Sequence, residues 1–215
     1  MSTIRVGLIR VVSGLDHDQT QTHGRILEQS YPILTVITEA IEGFPDGLYT
    51  EEMERQAVPE ILRVARRLAP YVDAIAVSCA ADPGVRELRK ELPVPVVGAG
   101  SCLGLVGRTL ETKLGILTIS SYVPKAVAES LRGCALAWRQ VEGVRWTTDL
   151  ADAMNATVQA ATALLDEGCR AIGLACTGFS TIGAAEALRK ALSIVVLDPV
   201  VTMGAGIACI SRTRG

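Results

Sequence analysis

Two cysteines occupy matching places in the chain. Cys79 follows the apolar run AIAV within SCAADPG, residues 78–84, and Cys176 follows AIGLA within LACTGFS, residues 174–180. Each stands where a buried run gives way to small and polar turn residues. In an open parallel sheet, ligands bind beyond the carboxyl ends of the strands, which is where these thiols fall. A helix starting after each turn would add free backbone N–H groups and a partial positive charge. That environment is expected to lower a thiol's pKa from ~8.5, favouring thiolate, and to receive carboxylates. Two such thiols on opposite sides of one substrate could invert a stereocentre at a carbon acid. One thiolate removes a proton from one face, and the other thiol delivers a proton to the opposite face. The plain alternative for any of the six cysteines is a small buried hydrophobe. That is the expectation for Cys134, Cys169 and Cys209, while Cys102, in the Gly-rich stretch GAGSCLG, stays in reserve.

The elements that must position these residues are legible as short apolar runs alternating with longer amphipathic stretches. Residues 4–9, 33–37, 74–78, 94–97, 114–118, 171–175 and 194–197 read as strands. They are nearly continuous in apolar character, which favours a parallel sheet covered on both faces. Residues 51–68 carry a helical pattern with Thr50 as N-cap. Residues 150–167 carry another, with Asp149 as N-cap and Gly168 as its stop, and residues 202–210 a third. The fold class is α/β.

The chain also repeats itself. AIAVSC at 74–79 matches AIGLAC at 171–176, and LRKEL at 88–92 matches LRKAL at 188–192, each followed by a β-branched strand. The period is about half the chain, too long for a solenoid. It predicts two similar α/β lobes related by a pseudo-twofold axis, with the site between them. Residues 1–97 together with 201–215 are expected to form one lobe and 98–200 the other.

Composition removes several functions. A net charge of −2 offers no basic field for nucleic acid or an anionic membrane, and 4% aromatic content offers no stacking platform for bases. No apolar run reaches the ~18 residues that span a bilayer, and the N-terminus does not read as a signal peptide, so a cytoplasmic location with reduced thiols is expected. No C-x-x-C pair is present, and His17 and His23 are spaced off any single helical face, so a metal site is not expected. Both histidines lie in GLDHDQTQTHG, which reads as a mobile surface loop, or as a flap over the cleft with His23 touching substrate.

The assembled residues resemble the aspartate/glutamate/hydantoin racemase superfamily. SCAADPG is similar to the first cysteine motif of the hydantoin racemase branch and ACTGFS to the second; PVVGAGS, LGILTIS and VVLDPV match the segments between and after them. The resemblance covers most of the chain from residue 70 onward. It implies two Rossmann-like lobes, no cofactor, a homo-oligomer, and Cys79 and Cys176 as acid/base partners. It implies that Ser78, Thr177, Gly178, Ser120 and Ser121 hold the substrate's oxygens. The N-terminus departs from the N-P-N-T loop usual in that branch, having Arg10, Val11, Val12 and Ser13 instead. With Arg10 and Ser13 at this strand end, a guanidinium could hold a free carboxylate. The substrate would then be an amino acid or other carboxylic acid, not a neutral hydantoin. Asp82 reads as a turn former capping a helix from Gly84, or as a contact to a substrate nitrogen.

Three functions compete on these residues. The first is a racemase or epimerase using both thiols. The second is a one-cysteine decarboxylase or cis-trans isomerase on the same fold. The third is a two-lobe binding protein without catalysis.

Overall fold

The computed structural model describes residues 3–210, so the expected lobe ends at 1–2 and 211–215 lie outside the described residues. The chain opens with β1 (Ile4–Arg10), α1 (His17–Ser30), β2 (Leu34–Ala40), α2 (Glu51–Leu68), β3 (Ala74–Ser78), α3 (Val85–Glu91) and β4 (Val96–Gly98). After α4 (Ala99–Arg108) come β5 (Leu114–Thr118), α5 (Lys125–Ser130), β6 (Leu136–Gln140), α6 (Met154–Asp166) and β7 (Ala171–Leu174). The chain continues through α7 (Gly178–Thr181), α8 (Ala184–Leu192), β8 (Val195–Leu197) and α9 (Pro199–Ile210). Two four-stranded parallel sheets result, ordered β2-β1-β3-β4 and β6-β5-β7-β8. The orders match strand for strand. The central strands β3, β5 and β7 are buried along their whole length, and β1 at every residue but one, which is why they read as continuous apolar runs. No helix among the described residues is long and apolar enough to cross a membrane.

The repeated LRK triplet has a structural cause. Arg89 Nε donates to the Val96 carbonyl at 3.0 Å, and Arg189 Nη2 donates to the Val196 carbonyl at 2.7 Å. In each lobe the helix is thereby tied to the strand that follows it. Leu88 and Leu188 bury completely beside these arginines.

The sequence reading departs from the structure in four elements. β6 was not foreseen: it is a sheet edge, only partly covered at Ala137 and exposed elsewhere, so it lacks a buried run. The stretch holding His17 and His23 is no mobile loop but the first part of α1. Its N-cap Asp16 accepts from the Gln19 N–H at 2.7 Å while Gln19 Oε1 accepts from the Asp16 N–H at 3.1 Å, a capping box. Asp149 does not cap α6; it accepts from the N–H groups of Arg145 and Trp146 and closes a 3₁₀ turn at Thr147–Asp152. The GAGSCLG stretch is the end of β4 and the first half of α4. A Cβ on Gly98 would overlap the Asp82 carboxylate, and one on Gly100 would overlap the Ala80 carbonyl. Glycine lets α4 approach the turn that follows Cys79.

α4 sits between the two cores. Cys102 packs with the first lobe's Val6, Leu8 and Ala76, and Leu103 packs with Leu114 and Ile116 of the second. α9 returns to the first sheet, where Val200, Met203 and Ile207 bury against Ile4, Val6 and Leu27.

A candidate active site between the lobes

In each sheet the chain reverses its winding at the central strand pair, β1/β3 and β5/β7, and the crevice beyond those strand ends is the expected ligand site. Arg10 and Ser78 are paired at the ends of β1 and β3, with Cys79 next in the chain. Ala175 bonds to Leu117 at the end of the second pair, with Cys176 next. Cys79 and Cys176 line one cavity of about 30 Å³, together with Val12, Glu54, Ser120 and Thr147. It has room for a water molecule or two, and contacts between the lobes border it. Thr177 Oγ1 donates to the Ser78 carbonyl at 3.1 Å, the Thr147 N–H to the Asp46 carbonyl at 3.3 Å, and the Tyr122 hydroxyl to Glu54 Oε1 at 3.1 Å. The Tyr49 and Trp146 rings meet edge to face with centroids 3.9 Å apart.

The two thiols share a cavity but not an environment. Each residue is 8% exposed. Burial pushes the Cys176 thiol up to about 11, against the N–H groups of Gly178 and Phe179, the Thr147 hydroxyl and the Arg10 charge, all of which favour thiolate. Burial pushes Cys79 higher still, against one backbone N–H, that of Ala81. Negative charge on Glu54, on Cys176 and on Asp82 adds to the rise. The expected lowering of both pKa values is therefore not what the structure has: between the lobes desolvation outweighs the local dipoles. A helix start beside the sulfur exists only for Cys176, since α3 begins six residues beyond Cys79. Of the two thiols Cys176 ionises the more easily, and negative charge on it raises the Cys79 thiol further.

Arg10 is 3% exposed, and its Nη1 donates to the carbonyls of Gln19 and Thr20 at 3.3 and 3.1 Å. Burial lowers its pKa to about 10, with Cys176 pulling the other way. It lines a second cavity of about 220 Å³ with Gln19, Thr148, Gly178 and Thr181, which shares Val12 and Thr147 with the thiol cavity.

The model of the Asp/Glu/Hydantoin racemase family matches residues 19–203, upstream as well as downstream of both cysteines. The chain belongs to the Asp/Glu/Hydantoin racemase family. Allantoin racemase from Pseudomonas fluorescens is similar in structure, with a TM-score of 0.79 at 18% identity over 98% of this chain and 95% of that one. Glutamate racemase RacE1 from Bacillus anthracis gives 0.70 at 17% identity over 100% of this chain and 83% of that one. A liganded mutant of arylmalonate decarboxylase gives 0.68 at 17% identity over 99% of this chain and 94% of that one. No curated protein matches this chain by sequence.

This family member places its other predicted site residues unevenly. Ser120 and Thr177 line the thiol cavity, and Gly178 lines the Arg10 cavity. A Cβ on Gly178 would come within 2.7 Å of side-chain carbons of both Leu150 and Thr147, which would have to shift to admit it. Ser13 does not reach either cavity: its hydroxyl accepts from the Phe44 N–H at 3.0 Å. Ser121 is exposed and also outside both. Ser78 is buried with its hydroxyl held by His23. Asp82 caps α4 and not α3: it accepts from the N–H groups of Gly100 and Ser101 at 2.7 and 2.9 Å. Gly84 in left-handed conformation starts α3 with no side-chain cap.

Three residues of the site were missed or underrated. His23 bridges the lobes, with Nδ1 2.8 Å from Ser78 Oγ and Nε2 2.8 Å from Thr181 Oγ1. It is 0% exposed, and burial, then the Arg10 charge, holds its pKa well below 6.5. Glu54 and Tyr122 face each other at the cleft from opposite lobes. The signal for His23 was the D-x-x-Q capping box ahead of it; Glu54 and Tyr122 carry no local signal.

Proposed function

We propose that this chain is a cofactor-independent racemase or epimerase that inverts a carbon-acid stereocentre with Cys176 and Cys79. The observation that carries the reading is that both thiols, one from each lobe, line the same small cavity. The Cys176 thiolate takes the proton, so a C–H bond breaks and an S–H bond forms. The electron pair left on carbon delocalises into the substrate's carboxylate. The Cys79 S–H then breaks as its proton bonds the opposite face of that carbon. The two sulfurs end with exchanged protonation states, ready for the reverse reaction.

A thiol at about 11 is ionised about one part in ten thousand at neutral pH, so a bound substrate would have to favour the thiolate. Substrate must part the contacts of Glu54 with Tyr122 and of Asp46 with Thr147 to enter, as cleft closure does in many enzymes. Arg10 would receive the substrate carboxylate, with Ser120, Thr177 and Gly178 around its oxygens. Likeness in fold to arylmalonate decarboxylase supports a second reading, protonation of a decarboxylation product by a single thiol. The test is incubation with single enantiomers of amino acids and hydantoins, and with arylmalonates, in deuterium oxide, followed by NMR. A racemase incorporates deuterium at the stereocentre as optical rotation decays, and Cys79→Ala and Cys176→Ala each abolish the decay. Loss of carbon dioxide from an arylmalonate, retained in one of the two variants, would establish the decarboxylase instead.

A further inference from the structure

We propose that His23 is the positioning residue of the thiol pair: it ties the strand end that precedes Cys79 to the helix that follows Cys176, and so fixes how the two sulfurs stand to one another. His23 lines neither the thiol cavity nor the Arg10 cavity, so it acts through its neighbours. Its hold on the thiols stands by itself; its effect on turnover rests on the racemase reading.

Ser78 is the junction. It ends β3 and precedes Cys79. Its carbonyl accepts from Oγ1 of Thr177, the residue after Cys176, at 3.1 Å. Its hydroxyl lies 2.8 Å from His23 Nδ1, and the far ring nitrogen, Nε2, lies 2.8 Å from Oγ1 of Thr181, the last residue of α7. The two cysteine-bearing segments are thus joined twice, once directly beside the thiols and once through a rigid ring. One bond alone is a pivot; the second, at the far end of α7, opposes rotation about it. α7 has only four residues, so its direction depends on such outside contacts. The ring is itself held by a third element. Arg10 Nη1 ties the end of β1 to Gln19 and Thr20 of α1, and Leu27 of α1 is buried in the first lobe's core. Gly24, next after His23, lets α1 lie flush on β2, since a Cβ there would come within 2.6 Å of Thr38 Oγ1. Stability alone does not explain an imidazole at a position that is wholly buried, because its bonds to protein largely replace bonds to water. What the ring adds is a fixed span between two hydroxyls. Inversion by two thiols needs such fixity, because a shift of about 1 Å in a reacting group costs roughly a hundredfold in rate.

The test is iodoacetamide labelling, read residue by residue by mass spectrometry at one pH, of wild type, His23→Leu, Thr181→Val and Thr181→Ser. A buried thiol reacts through local opening, so its rate follows the open population. His23→Leu and Thr181→Val should each speed the labelling of Cys79 and Cys176 about tenfold, the scale of one lost buried hydrogen bond. Cys102 and Cys169, buried elsewhere, should keep their wild-type rates. Thr181→Ser, which retains the hydroxyl, should label as wild type does. Where His23→Leu labels all four thiols through loss of the fold, Thr181→Val decides. The inference is overturned if Thr181→Val labels Cys79 and Cys176 at wild-type rates, if it speeds all four thiols together, or if Thr181→Ser behaves as Thr181→Val does. Turnover separates the two claims. With whichever compound the wild type racemises, His23→Leu should lower kcat about a hundredfold and leave KM within about threefold. A raised KM at unchanged kcat sinks this inference and leaves the racemase reading standing. Selective speeding of the two thiols in a protein that racemises nothing sinks the racemase reading alone.

Discussion

Acidification from pH 6.5 to 5 should cost this protein about 2 kcal/mol of folding stability through the single side chain of His23. The ring is wholly buried between Ser78 and Thr181, with one hydroxyl at each nitrogen. A neutral imidazole has one donor and one acceptor to offer, matching two hydroxyls that can each do either. Protonation would bury a second positive charge beside Arg10, so the folded pKa is depressed. The sign follows: the unfolded chain takes up a proton below 6.5 and the folded chain does not. The stability is present above 6.5 and is lost as pH falls, at about 1.4 kcal/mol per pH unit for one proton. Glu54 and Asp82, whose carboxyls burial raises, act with the opposite sign as pH falls. The quantity to measure is therefore the difference between wild type and His23→Gln in urea unfolding at a series of pH values. Wild type should lose about 2 kcal/mol relative to the variant between pH 6.5 and 5. Parallel pH profiles, or an NMR titration showing the His23 ring protonating near 6.5, would refute the reasoning.

Gly100→Ala should cost about 3 kcal/mol or more, because the new methyl meets the Ala80 backbone, which cannot swing aside as a side chain would. Gly133→Ala, where the added carbon meets nothing within 4 Å, should cost only the strain of its positive φ, about 1 kcal/mol; urea unfolding compares the two. Iodoacetamide followed by residue-resolved mass spectrometry should alkylate Cys176 ahead of Cys79, at a rate rising with pH toward about 11, because only thiolate reacts. Labelling of Cys79 first would reverse the base and acid assigned above.

The sheets were legible because their central strands are covered on both faces, leaving apolar runs that no alternation interrupts. β6 was not, because its exposed Trp138 and Leu136 give an edge strand no such run. The cysteine pair was legible through the repeat, and the LRK triplet repeats because Arg89 and Arg189 make the same bond in both lobes. The thiols' ionisation was not legible. Sequence shows which N–H groups follow a cysteine but not how completely the opposite lobe removes water, and here that desolvation dominates. Glu54 stands in an acidic first turn that reads as ordinary complement to the helix dipole. Its place in the site depends on Tyr122, 68 residues away, and no local pattern carries that pairing. Asp82 was read against the nearer helix because capping is usually local, whereas the bent backbone at its φ of 54° turns the carboxylate to α4.

The claim that two sulfurs serve opposite faces of one carbon is tested most directly by the single variants Cys79→Ser and Cys176→Ser in deuterium oxide. Each is given the separate enantiomers of whichever compound the wild-type protein racemises. Each variant should exchange the α-proton of one enantiomer only, the two variants should choose opposite enantiomers, and neither should interconvert them. Exchange of the same enantiomer by both variants, or racemisation at the wild-type rate by either, would contradict it.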